Sequence, residues 1–486
     1  MSRLDPLFDP RGVIVAGASA HPGKFGFVTL HNILRCGYAG AVFPVSLEGG
    51  EVLGRHVHTS VDEVPVGAAD LVFVCTPPAA NAELLAACAR RGVRAAFVAT
   101  AGYAEAGDDG ARAQDELVAT AARCGIVLAG PNGQGVVSTP SSLCAQIVAP
   151  YPPAGPVGIV SQSGNLVSSF LNLSLHSGVG VSRAVSAGNA AAVGVADYLD
   201  HLGDDPATSV SVAYVESVGD GRAFADAARR TTARQPLVVL QGGTTVGGRR
   251  AAASHTGSLA SDARVFAGMC RQVGIAQATT VEAAWDAAAT FATAPLPAGP
   301  SVVVLTTVGG WGVLTADAIT RSELTLLELP DDLRDALDAR LPSRWSRNNP
   351  IDLAGSETRD TVPEVLDLVA RHPAVHAVVF LGIGIQSNEA HLMRTGPFHP
   401  DHGLERVVEF HERQDARYAE VAAEISSDTG KPILVATELA VTAPDNPGPR
   451  AVRATGRYCA PSATRAVDAL EHLWRYARYR TRTDAA

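Results

Sequence analysis

No stretch of this sequence stays apolar for the ~18–20 residues that a bilayer crossing requires, so no membrane span is expected. The opening residues Met1-Ser2-Arg3-Leu4-Asp5-Pro6 lack the basic-then-apolar order of a secretory leader. Long runs of Lys or Arg are missing and the net charge is −10, so nothing favours a nucleic-acid partner. Cysteine is sparse: seven residues, scattered, with no C-x-x-C pair. A disulfide framework and a metal centre are therefore both unexpected, and buried thiols in a reducing cytoplasm are the reading that fits. Only 18% of residues are charged, against 47% hydrophobic, so 486 residues supply material for roughly three packed domains.

What the chain does contain is a recurring pattern. Short runs of Val, Ile, Leu and Phe alternate with Ala-rich amphipathic stretches. Examples are Val13-Ile14-Val15-Ala16, Leu71-Val72-Phe73-Val74, Val157-Gly158-Ile159-Val160 and Ser301-Val302-Val303-Val304-Leu305. Continuous apolar runs suit strands buried on both faces, with the helical stretches as crossovers. The expectation is an α/β chain built on parallel sheets. Pro- and Gly-rich stretches at 149–156 and 294–300 read as linkers, because proline neither continues a helix nor donates to a ladder. Each is followed by a strand and a Gly-containing loop. Later strands also correspond, Val212–Val215 with Ala377–Leu381 and Gln235–Leu240 with Lys431–Val435. The expected domains are 1–148, 156–293 and 300–480, the last two being copies of one doubly wound unit.

The first strand runs into Ala16-Gly17-Ala18-Ser19-Ala20-His21-Pro22-Gly23-Lys24-Phe25-Gly26, a turn opening onto a helix. Free amides and the helix dipole make such a place attractive to phosphate, and Lys24 adds charge. The G-x-G-x-x-G spacing of a dinucleotide site is absent, and only Glu48 lies near the ribose-binding position, which argues against an NAD(P) oxidoreductase. Three further loops should meet at the same sheet edge: 75–78, 100–105 and 130–135. In the second domain, Ser161-Gln162-Ser163-Gly164-Asn165 precedes a helix and offers an anion site without lysine. Ala253-Ser254-His255-Thr256-Gly257-Ser258 surrounds a histidine with small residues, as a phosphoryl acceptor requires. Glu216, at a strand end, is the candidate to orient that imidazole.

At these residues the chain resembles the α subunit of the nucleoside-diphosphate-forming acyl-CoA synthetases, similar to succinyl-CoA synthetase and ADP-forming acetyl-CoA synthetase. The stretches that carry the resemblance are Ala251–Leu259, Val157–Gly164, Gly130-Pro131-Asn132 and Asn349-Pro350-Ile351-Asp352-Leu353. The resemblance implies an N-terminal Rossmann-like CoA-binding domain followed by two flavodoxin-like doubly wound domains. It implies that His255 carries phosphate, that Glu216 orients it, and that Ser163 and Gly164 bind phosphate. Gly17, Ser19, Lys24, Thr76, Pro77 and Asn132 match positions lining the CoA site. Coenzyme A and a small carboxylic acid would be substrates. ATP or ADP with Mg2+ would bind an ATP-grasp β subunit, in a heterodimer or heterotetramer, since no such segment is expected within this chain. The third domain, with Gly382-Ile383-Gly384 in place of the Glu216 segment, would serve subunit contact. The sequence departs from the family pattern at Gln241, Gly133 and Ser46. A CoA-binding module without turnover is the alternative.

Overall fold

The computed structural model describes residues 2–148, 150–250, 262–353 and 360–484. His255 lies outside the described residues. The chain divides into two compact units, one formed by 1–175 with 180–284 and the other by 176–179 with 285–486.

The first unit holds two sheets. Strands β1 (Gly12–Ala16), β2 (Ala41–Val45), β5 (Leu71–Val74), β6 (Ala95–Val98) and β7 (Val127–Ala129) form a parallel sheet in the order β2-β1-β5-β6-β7. Every residue of β1, β5 and β6 is buried, as strands covered on both faces must be. A small hairpin, β3 (Glu51–Val52) with β4 (Arg55–His56), follows the edge strand β2. Because the chain leaves β1 first to one side and then to the other, the crevice for a ligand opens between the carboxyl ends of β1 and β5.

The second sheet is larger than expected. Strands β10 (Ala154–Ser161), β11 (Val181–Ser186), β12 (Val210–Val215), β13 (Leu237–Gln241) and β14 (Ala276–Ala278) run parallel. Two more strands, β8 (Gly135–Ser138) and β9 (Leu143–Gln146), add antiparallel beside β11. The expected boundary at 148 therefore falls after two strands that hydrogen-bond into the second sheet. That hairpin is built from Gly, Ser and Thr around short apolar pieces, so its sheet membership depends on a distant partner that the local pattern does not show.

In the second unit, β15 (Ser301–Thr306), β16 (Thr325–Leu326), β17 (Ile351–Asp352), β18 (Ala377–Leu381), β19 (Ile433–Ala436) and β20 (Cys459–Ala460) make a parallel sheet ordered β16-β15-β18-β19-β20, with β17 also on β15. Counting from β10 in one sheet and from β15 in the other, and leaving out β17, this order equals that of β11-β10-β12-β13-β14. The expected duplication of one doubly wound fold is thus present in the topology. Asn349 fills a gap in the new sheet: its side-chain oxygen accepts from Val304 N at 2.9 Å, while its nitrogen donates to Val302 O at 2.8 Å and Leu327 O at 3.0 Å. A carboxamide here stands in for a peptide group. The expected end of the second domain, 293, is the last residue of helix Val281–Thr293. Helix Val281–Thr293 joins the second unit from Trp285 onward, because its buried Asp286 receives Arg465 Nη2 at 2.7 Å and Tyr458 Oη at 2.5 Å.

Two ion pairs that share Asp70, at the base of the first sheet, lead to a measurable expectation. Asp70 is buried and accepts from Arg11 N at 2.8 Å, Arg11 Nη2 at 2.7 Å and Arg94 Nη2 at 3.0 Å. The Arg11 hydrogen bond, joined by that of Arg94, outweighs burial and draws the Asp70 carboxyl down to about 2. A depressed carboxyl stabilises the fold above its unfolded pKa near 4, and that stabilisation fades as pH falls through about 2. Asp70→Ala is expected to cost roughly 2–3 kcal/mol in urea unfolding at neutral pH. The gap from wild type should narrow between pH 4 and 2.

Candidate functional site

The first loop lies against the next strand's loop. Gly17, at φ +84°, donates to Val45 O at 2.9 Å, and a Cβ there would sit 3.0 Å from the Cys75 carbonyl carbon. Helix Phe25–Arg35 begins directly over this turn, with Lys24 exposed at its N-cap. Ser19 Oγ accepts from His21 N at 3.1 Å, which shapes the turn. On the neighbouring loop, Thr76 Oγ1 donates to Asn81 Oδ1 at 2.6 Å, and Asn81 in turn donates to Tyr103 Oη at 2.7 Å. Pro77 caps helix Pro78–Arg90. The expected residues Gly17, Ser19, Lys24, Thr76 and Pro77 thus gather at the β1–β5 crevice. Two helix starts and a glycine turn that brings backbone close together suit a phosphate-bearing ligand such as CoA.

A second group meets elsewhere in the same unit. Asn132, Ser163, Gly164 and Glu216 all line one cavity of about 550 Å³, together with Phe25, Gln134 and Asn189. Phe25 follows Lys24, so the crevice and the cavity adjoin. Ser163 and Gly164 leave β10 and open helix Gly164–Ser177, whose first amides have no intrahelical acceptor. Glu216 follows β12, the strand beside β10.

The residue that joins these two loops is one to which the sequence pattern assigns no role. Gln162 Oε1 accepts from Glu216 N at 2.6 Å and Ser217 N at 3.1 Å, and its Nε2 donates to Ser217 O at 2.9 Å. The Glu216 carboxylate also accepts from Tyr214 Oη at 3.2 Å. Burial, with Glu216 beside it, pushes the Tyr214 hydroxyl well up, so it stays a donor.

Carboxamides furnish much of the remaining wall. Gln134 Nε2 donates to Asn165 Oδ1 at 2.9 Å across the helix start, where a Cβ on Gly164 would fall 2.3 Å from Gln134 Cγ. Asn189 donates to Glu105 Oε2 at 2.6 Å and to Gln114 Oε1 at 2.9 Å, and accepts from Asn132 at 3.3 Å. Burial alone would raise the Glu105 carboxyl; hydrogen bonds from Asn189 and from the Gly102 and Tyr103 amides outweigh it and hold it low. Among the described lining residues the charged side chains are Glu105 and Glu216. An anion bound here must therefore be met by amides and helix ends. The departure at Gly133 has a steric reason: a Cβ would approach Phe97 Cζ to 2.6 Å and Ser186 O to 2.7 Å. The departure at Ser46 sits in a turn, where its backbone carbonyl accepts from Gly49 N at 3.1 Å and its Oγ from Glu48 N at 3.4 Å.

Known proteins match in the same order. A CoA binding domain model matches residues 11–166, a succinyl-CoA ligase like flavodoxin domain 154–291, and a ligase-CoA domain 302–398. The α subunit of ADP-forming acetate–CoA ligase I from Pyrococcus furiosus is 34% identical over 382 residues, covering 78% of this chain and 82% of that one. ADP-forming acetate–CoA ligase I from Archaeoglobus fulgidus is 34% identical over 379 residues, 77% of this chain but 54% of that longer protein. The solved dinucleotide-forming acetyl-coenzyme A synthetase 1 of Ca. Korarchaeum cryptofilum, in complex with phosphate and ADP, superposes with a TM-score of 0.83 at 29% identity and covers 99% of each chain.

Proposed function

The chain belongs to the ADP-forming acetate–CoA ligase family, on its α-subunit side, and from that membership we propose that it is the α subunit of an ADP-forming acyl-CoA synthetase. The reaction is carboxylate + CoA + ATP = acyl-CoA + ADP + phosphate. The observation that carries this reading is the convergence of Asn132, Ser163, Gly164 and Glu216 on one cavity adjoining the Gly17–Thr76 crevice.

In this reading, CoA lies along the crevice with its phosphates near Gly17, Ser19 and Lys24, and its thiol reaches the cavity past Asn132. The first turn of helix Gly164–Ser177 receives the phosphoryl group of an acyl phosphate. His255 accepts that group in the direction of thioester breakdown and delivers it in the other direction, so that each step exchanges one bond to phosphorus or to the acyl carbon. Glu216 holds the imidazole on its second nitrogen, fixing the tautomer and stabilising the cation. Gln162 fixes the Glu216 backbone in turn.

Relatives named as α subunits imply a partner subunit. We assign ATP or ADP and Mg2+ to an ATP-grasp β partner in a heterodimer or heterotetramer. None of the helices among the described residues is long and apolar enough to cross a membrane, and all seven cysteines are free, in keeping with a cytoplasmic setting. The kinship favours catalysis over a CoA-binding module without turnover.

Phosphoryl labelling tests the reading. With radiolabelled ATP, Mg2+ and a native-cell extract as the source of any β subunit, wild type should acquire a base-stable, acid-labile phosphate. CoA plus a carboxylic acid should discharge it, and His255→Ala should acquire none. An unlabelled wild type, beside a family member that labels under the same conditions, would leave only the binding-module reading.

A further inference from the structure

The outer edge of the first sheet carries a cluster unconnected with the cavity. His56, His58 and Glu63 place their ligating atoms all within 4.8 Å of one another. None of the three lines the cavity.

The backbone explains why they meet. His56 ends the short strand β4, and His58 pairs in parallel with Val45, donating to Pro44 O at 2.9 Å and accepting from Ser46 N at 2.9 Å. Residues two apart on an extended chain face the same way. Val57 between them turns inward and is buried, so both imidazoles turn outward. Their rings stand edge to face with centroids 5.1 Å apart. Glu63 is brought back by a 3-10 turn, Val61–Glu63, capped by Ser60 and anchored by buried Val61 and Val64. Its carboxylate is held by Thr59, from Oγ1 at 2.5 Å and from N at 3.1 Å. Glu51 lies across the ladder from His56 and adds negative charge on that side.

We infer that His56, His58 and Glu63 form a binding site for a divalent cation of the zinc class. Two imidazoles and one carboxylate are the donor set that borderline metals prefer over Mg2+ or Ca2+. With metal–nitrogen bonds of about 2.0–2.1 Å, neighbouring ligand atoms on a tetrahedral ion lie about 3.3 Å apart. His58 Nδ1 and Glu63 Oε2 already stand at 3.4 Å, and the exposed His56 ring places a nitrogen within 4.8 Å of both. Three protein ligands leave a coordination position to water. The ordinary alternative is a surface His–Glu pair with a second histidine nearby. That alternative accounts for the 3.4 Å contact, and a site differs from it in using the third donor within 4.8 Å of the other two.

Full-length protein stripped with a chelator and titrated with Zn2+ by calorimetry distinguishes the two. Wild type is expected to take up one equivalent that His56→Ala/His58→Ala loses and that Glu63→Gln binds roughly tenfold more weakly or worse. Co2+ in place of Zn2+ should give the visible absorption of a low-symmetry site, absent from the double variant. Failure of wild type to bind, or uptake unchanged in the double variant, overturns the site. Should the double variant melt at a lower temperature, His56→Ala alone serves. Its side chain is exposed, so loss of binding there at an unchanged melting temperature is the same evidence, and undiminished binding the same refutation.

Discussion

Glu216→Gln is expected to lower turnover about 100- to 1000-fold while leaving CoA affinity unchanged, as measured by steady-state kinetics beside equilibrium CoA binding. The substitution keeps the shape and the contact with Tyr214 and removes the charge. If Glu216 orients and stabilises the phosphoryl-carrying imidazole, losing the charge costs about 3–4 kcal/mol of transition-state stabilisation. In the proposed arrangement CoA is held at the crevice of Gly17 and Thr76, so its binding should not respond. Gln162→Leu makes the companion test. It removes three hydrogen bonds to the 216–217 backbone without touching the carboxylate. The outcome should be a smaller loss of kcat, roughly tenfold, with KM for CoA unmoved. A Glu216→Gln enzyme within about threefold of wild type would remove the carboxylate from the mechanism, even if His255 still labels.

The contrast between these two residues shows what was legible in the sequence. That Glu216 lines the cavity was legible because ligands of an open α/β sheet sit at its strand ends, and a lone carboxylate after Val212–Val215 is conspicuous there. The role of Gln162 was not. It reads as a spacer between two serines, and its role exists only because β10 and β12 are neighbours although more than 50 residues apart in the chain. The same limit applies to Gln134 and Asn189, whose amides bridge loops from different strands. Carboxamides carry no charge pattern or periodicity, so they announce themselves only when the fold is closed.

At the level of architecture the apolar runs were a sufficient guide. Val13–Ala16, Leu71–Val74 and Ser301–Leu305 all fall within strands buried on both sides. Less was legible where pairing is decided at a distance. Strands β8 and β9 join a sheet that the Pro-rich linker after them seemed to exclude. Helix Val281–Thr293 carries Asp286 toward Arg465, nearly 180 residues later, and so shares a core with the sheet of β15 rather than with that of β10. Proline-rich composition marked where the chain turns, and the burial of Asp286 decided which core each side serves.

The second large effect is expected from Gly26→Ala: a rise of about 10- to 100-fold in the dissociation constant for CoA, with a stability loss of about 1–3 kcal/mol. On helix propensity alone, alanine should stabilise this position by up to ~1 kcal/mol. The local geometry opposes that gain. A Cβ at residue 26 would lie 2.0 Å from Gly17 O, 2.7 Å from Gly17 C and 2.9 Å from Ala18 Cα. All three are backbone atoms, so no rotamer change relieves the overlap. Either the helix start or the Gly17 turn must retreat by about an ångström or more to restore ordinary contact distances, and that turn is where the proposed phosphate contacts are made. Gly221→Ala is the control: it too lies in the first turn of a helix, Gly221–Thr232, yet a Cβ there meets nothing within 4 Å. It should leave CoA binding unchanged and melt no earlier than wild type. If Gly26→Ala is destabilised but binds CoA as tightly as the control, the Gly17 turn is a packing device and the ligand lies elsewhere along the crevice.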